Sequence, residues 1–90
     1  MAFIVGVFEG DIDSWIQTFK SDPLGRKGVA RGHTVLRGVD DPNRAFVRVE
    51  FDSAENAKAF AEKVRGSDVL AGLNLIVPPT VAEMIDQATY

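Results

Sequence analysis

Apolar and polar positions alternate most cleanly between Arg44 and Phe51. Ala45, Val47, Val49 and Phe51 share one side of an extended chain, and Phe46, Arg48 and Glu50 share the other. That period of two predicts a strand with one covered face. Upstream, His33 to Arg37 forms a second run rich in β-branched residues, and Asp40-Asp41-Pro42-Asn43 separates the two. The aspartates can bond their own backbone, Pro42 fixes φ at a turn position, and Asn43 tolerates the left-handed region. The pair reads as a hairpin. Its first strand has an open register, because a one-residue slip exchanges the two faces. The expected choice sends Thr34, Leu36 and Gly38 toward the covered side, and His33, Val35 and Arg37 to the open one.

The flanking patterns predict the other elements. Phe3 to Phe8 is apolar on both sides, as in a central strand, and Gly6 within it marks a bulge or a close approach by another backbone or ligand. Asp11 or Asp13 caps a short helix with Trp15, Ile16 and Phe19 on its inner side, and Asp22-Pro23 ends it. Leu24 to Gly32 is a glycine-rich basic loop, with room for a helical turn in its middle. Such a loop can cradle an anion through backbone N–H groups, but its spacing fits neither a P-loop nor a dinucleotide fingerprint, which favours a solvated connector. Asp52 or Ser53 caps a second helix whose stripe is Ala57, Phe60, Ala61 and Val64, and Gly66 closes it. Leu73 to Val77 reads as a last strand stopped by Pro78-Pro79. Residues 80–90 read either as a short helix capped by Thr80 or as an extended arm that packs on a partner subunit. The order β-α-β-β-α-β is that of an α+β, ferredoxin-like domain spanning 1–90, a four-stranded antiparallel sheet with both helices on one face.

Composition narrows the chemistry. Ninety residues, 46% of them hydrophobic and 26% charged, fit one globular domain. The absence of cysteine excludes disulfides, thiolate nucleophiles and cysteine-ligated metals, and a single histidine argues against a transition-metal site. No cofactor is expected. The opening apolar run, Ala2 to Phe8, is too short to cross a bilayer and is followed by Glu9 and Asp11. A cytoplasmic protein without membrane contact is the expectation. A net charge of −3 argues against general nucleic-acid binding, although Lys20 to Arg48 holds seven basic residues against three acidic ones.

The segment Val35-Leu36-Arg37, Val39-Asp40-Asp41-Pro42-Asn43, Val47-Arg48-Val49-Glu50-Phe51-Asp52-Ser53, with Ala57, Ala59 and Phe60 after it, resembles the dimeric α/β-barrel superfamily. The likeness is to its small members related to antibiotic-biosynthesis monooxygenases, many of unassigned function. It is best from Val35 to Phe60 and looser from Leu73 to Val81. It implies a homodimer in which two sheets face each other, and a small, largely apolar ligand held between each sheet and its helices. Cofactor-independent oxygenation or isomerisation of an aromatic or polyketide-like compound is the activity it suggests. The haem-degrading branch fits poorly, because its histidine ligand lies on the second helix and Ser53 to Arg65 contains none. Arg44 to Phe51 also loosely resembles the third strand of an RNA-recognition motif. Phe46 suits base stacking there, but Arg48 and, on the first strand, Ile4 occupy the other stacking positions.

Six residues carry the candidate chemistry. His33, the only side chain that titrates near neutrality unperturbed, can serve as an acid or base with Glu50 as orienting partner across the hairpin; a solvated strand-edge histidine is the plainer alternative. Arg37 and Arg48, with Glu50, can hold a carboxylate or phenolate, or form ion pairs across a dimer interface, the favoured role. Trp15 and Phe46 are candidates for contact with a ligand, and for Trp15 core packing is the alternative. The leading reading is a homodimer that binds a small apolar or aromatic molecule. A non-catalytic binding or interaction protein is the alternative.

Overall fold

A computed structural model describes residues Met1 to Tyr90. Strand β1 (Ala2–Glu9) leads into helix α1 (Ile12–Ser21), a short 3-10 turn (Arg26–Gly28), β2 (Gly32–Arg37), β3 (Arg44–Phe51), α2 (Ala54–Arg65) and β4 (Asn74–Glu83). The sheet is antiparallel in the order β2-β3-β1-β4. This is the ferredoxin-like α+β arrangement. No helix is long and apolar enough to cross a membrane.

Local chemistry sets the helix ends. Asp11 accepts from the Ser14 N–H at 3.0 Å and Ser53 from the Asn56 N–H at 3.1 Å, each satisfying an orphan donor of a first turn. α1 stops at Asp22, which lies in the left-handed region (φ 58°), a conformation that aspartate tolerates better than most residues. Between β2 and β3, Asp41 accepts from the Asn43 N–H at 3.2 Å and Gly38 donates to the Arg44 carbonyl at 2.9 Å. That turn fixes the pairing of Arg37 with Ala45.

The core lies between the helices and one sheet face, where Ile4, Phe8, Ala45, Val47, Val49 and Phe51 meet Ile12, Trp15, Ala57, Phe60 and Ala61. Two expectations are corrected by the sheet. First, His33 pairs with Val49 and Val35 with Val47, so His33, Val35 and Arg37 face the helices, while Thr34 and Leu36 face outward. β2 is an edge strand whose two faces are both largely exposed, so its sequence pattern scarcely prefers one register. Second, β4 does not stop at Pro78-Pro79. It runs on to Glu83, and the arm beyond it has no regular structure. An edge strand needs no outward N–H, and the pairing jumps from Val7↔Val77 to Val5↔Thr80, which places both prolines in a bulge opposite Gly6. Gly6 thus has the role its position suggested: a Cβ there would lie 3.3 Å from the Val77 carbonyl oxygen and 2.7 Å from the Phe8 ring.

Candidate functional site

The space between sheet and helices narrows to a cleft lined chiefly by apolar side chains, among them Ile4, Phe8, Trp15, Phe19, Phe60 and Leu70. It encloses about 80 Å³. That is smaller than the roughly 150 Å³ cavity that holds benzene, so a ligand would fill it with a short chain or the edge of one ring. Trp15 forms one wall, in edge contact with Phe8 (ring centroids 5.7 Å apart) and tilted against Phe19 (5.0 Å). Its expected place on the inner side of α1 is observed.

Arg26 and Asp22 contribute to the lining, whose surface is nonetheless almost wholly apolar. Arg26 is only 5% exposed. Its guanidinium lies 3.7 Å from the centroid of the Phe19 ring, and its Nη1 donates to the Phe19 carbonyl at 2.8 Å. Nη1 also lies 3.7 Å from Asp22 Oδ1, an ion-pair distance beyond an ordinary hydrogen bond. In the sequence Arg26 is one cation of a glycine-rich loop expected to be solvated. The signal available was its spacing: the 3-10 turn starts at Arg26, four residues beyond Asp22, the C-terminal cap of α1, which returns that side chain to the helix's last carbonyls.

The residues singled out from the sequence do not converge. His33 stands edge-on to Phe19 (4.8 Å between centroids) on the helix side of the sheet, and it is not part of the cleft lining. Partial desolvation against α1, reinforced by the nearby positive charges of Arg26 and Lys27, holds its pKa below the usual 6.5. Glu50 pairs with Gly32 on the opposite face, 3.7 Å from Arg31 Nε. The proposed His33–Glu50 couple is therefore separated by the sheet itself. Arg37 is also on the helix side, bonded to Asp13 of α1 and, at 2.8 Å, to the Pro42 carbonyl. Arg48 and Phe46 remain on the open face, with the Arg48 guanidinium 5.3 Å from the centroid of Phe3. Ile4 belongs to the core, and Phe3 takes its place on the open face, where it is only 6% exposed. No cluster of three or more histidine, aspartate or glutamate side chains is arranged to hold a metal.

The open face is ordered in rows of direct cross-strand partners. Leu36, Phe46, Val7 and Val77 form one row across all four strands, and Thr34, Arg48, Val5 and Thr80 form the next. Leu36, Phe46 and Val77 are 59%, 41% and 38% exposed, an apolar stripe lying in water.

Neither a protein-family model nor a curated protein matches this sequence. Function has to be inferred from the cleft and the open face themselves.

Proposed function

We propose that this chain is a homodimeric α/β-barrel protein that binds a small, largely apolar molecule between its sheet and its helices. The observation that carries the reading is the apolar cleft walled by Trp15, with a buried cation at its edge. The open face supports the dimer. The row Leu36–Phe46–Val7–Val77 is self-complementary in chemistry, and a second copy packed sheet to sheet would remove it from water. A chain of ninety residues also gains more from such burial than a larger one would.

Binding is better supported than turnover. Acid–base chemistry needs titratable groups within reach of one bound molecule, whereas His33 stands outside the cleft lining and Glu50 lies across the sheet. RNA recognition has less support than either, since Phe46 is the only aromatic of the open face that is substantially exposed.

Light scattering at micromolar concentration tests the dimer. A mass near twice 9.8 kDa is expected, and a clean monomer would remove the barrel from the proposal. Titration with small aromatic compounds, followed through the Trp15 indole resonance, tests the cleft. An indole signal that stays fixed at millimolar ligand would refute binding there.

A further inference from the structure

The open face of the sheet holds a hollow of its own, of about 320 Å³, on the side away from the cleft. Its walls are two of the cross-strand rows. Leu36, Phe46, Val7 and Val77 make the apolar wall, and Thr34, Arg48 and Val5 make the other. Gly6 and Val47 pair between the rows and supply the floor, because Gly6 has no side chain and that of Val47 belongs to the core. The rows are two residues apart along their strands, or about 7 Å. The space exceeds the roughly 150 Å³ that holds benzene, so a ring or a short alkyl chain fits.

Arg48 gives this hollow its chemistry. Arg26, Arg31, Arg37, Arg44 and Arg65 each form an ion pair with a carboxylate of the chain. Arg48 is the one arginine that forms none. Its exposed guanidinium lies 5.3 Å from the centroid of the Phe3 ring, a contact that takes up none of its N–H groups. Thr34 is its direct partner on β2, which sets a hydroxyl beside the arginine. Glu9 and Glu50, the strand carboxylates of this face, are already engaged with Arg44 and Arg31.

Three occupants can be compared. Water solvates Arg48 but leaves the apolar row exposed. A second copy alone covers the row, yet by two-fold symmetry it brings another unpaired Arg48 to the same interface, and both cations lose their water. A carboxylate with an apolar tail meets both demands: its oxygens accept from the guanidinium and from the Thr34 hydroxyl, and its tail fills the hollow. We infer that the open-face hollow is a ligand site distinct from the cleft, for a small amphiphilic carboxylate held by Arg48 and Thr34 with its tail against Leu36, Phe46 and Val77. The inference rests on the proposed dimer for closure of the site, since a second copy would shield the ligand from water while the ligand neutralises the cation.

The test titrates octanoate, octanol and octylamine, equal in tail and different in charge, into the full chain. The Leu36 methyl and Arg48 Nε resonances report the open face, the Trp15 indole reports the cleft, and light scattering of the same samples gives the mass. Octanoate should shift the open-face resonances saturably and bind about tenfold more tightly than octanol, the change expected for one hydrogen bond to a charged group. Arg48→Gln should remove that preference and leave octanol binding unchanged. If that variant does not fold, added salt reads the same charge, since it should weaken octanoate and spare octanol. Equal binding of octanoate and octanol would overturn the carboxylate, and so would octylamine binding tightest. Open-face resonances that stay fixed with all three probes, or shifts confined to Trp15, would refute the site even in a chain that is dimeric. A chain that stays monomeric while the Leu36 and Arg48 resonances shift would remove the dimer and keep the site.

Discussion

Replacing Gly6 by alanine should destabilise this protein, although the same change in most strands is favourable. Two opposing effects can be sized. Alanine restricts the unfolded chain more than glycine does, which contributes about 0.4–1 kcal/mol of stability at a site whose backbone permits a side chain. Gly6 is such a site, since its φ is not among the positive values in the chain. Against this, the new methyl would lie 2.7 and 2.8 Å from two carbons of the Phe8 ring and 3.3 Å from the Val77 carbonyl oxygen. The ring cannot swing away freely, because Phe8 is buried and in edge contact with Trp15. Overpacking of this kind costs about 1–3 kcal/mol. At the middle of both ranges the clash wins, and a net loss of about 1.3 kcal/mol is expected (about 0–2.6 kcal/mol between the extremes), or a Tm lower by roughly 5–10 °C for a domain of this size. Urea denaturation at fixed protein concentration would measure it. Phe8→Leu removes the two ring carbons that clash, so Gly6→Ala introduced into that background should cost less than it does alone, a coupling read from the double-mutant cycle. A stabilising Gly6→Ala, or equal costs in the two backgrounds, would refute the close approach of Phe8 to the β4 bulge as the reason for glycine.

Other consequences can be checked as readily. His33 should titrate by NMR with a midpoint below 6.5, and because the folded state then binds its proton less readily than the unfolded chain, its effect on stability has a definite sign: none above 6.5, and a progressive loss as pH falls from there toward the folded-state midpoint. Comparing the pH dependence of His33→Gln with that of the unsubstituted chain isolates this contribution from the carboxylates. Phe46→Glu, in the middle of the exposed apolar row, should convert a dimer to monomer by light scattering while leaving the far-UV spectrum unchanged. Ser53→Ala removes the cap of α2 and should cost about 1 kcal/mol in a denaturant melt. Asp13→Asn, which breaks the exposed pair with Arg37, should change stability by less than about 1 kcal/mol.

The elements whose chemistry is local could be read from the sequence alone. The helix caps (Asp11 or Asp13, and Asp52 or Ser53, between which the structure selects Asp11 and Ser53), the Asp40–Asn43 turn, the alternation of β3 and the helical stripes of Trp15 and Phe60 each depend on neighbours a few residues away. Together they determined the order of elements and hence the ferredoxin-like fold. Even Gly6 declared its close approach, because a strand interior rarely gives up a side chain without cause. What tertiary structure decided is every feature set across the sheet or through the core. The register of β2 came from the turn and its pairing with β3, which moved His33 and Arg37 to the helix side and parted them from Glu50. Pro78-Pro79 could not end β4, because an edge position and a bulge removed the penalty that a central strand would impose. Arg26 changed most. In the sequence it is one cation in a glycine-rich loop, and only the fold of that loop onto Phe19 and Asp22 makes it a buried charge beside an apolar cleft. Long polar side chains report their surroundings only after the chain has folded around them, and for that reason the most specific chemistry in this protein was the least legible.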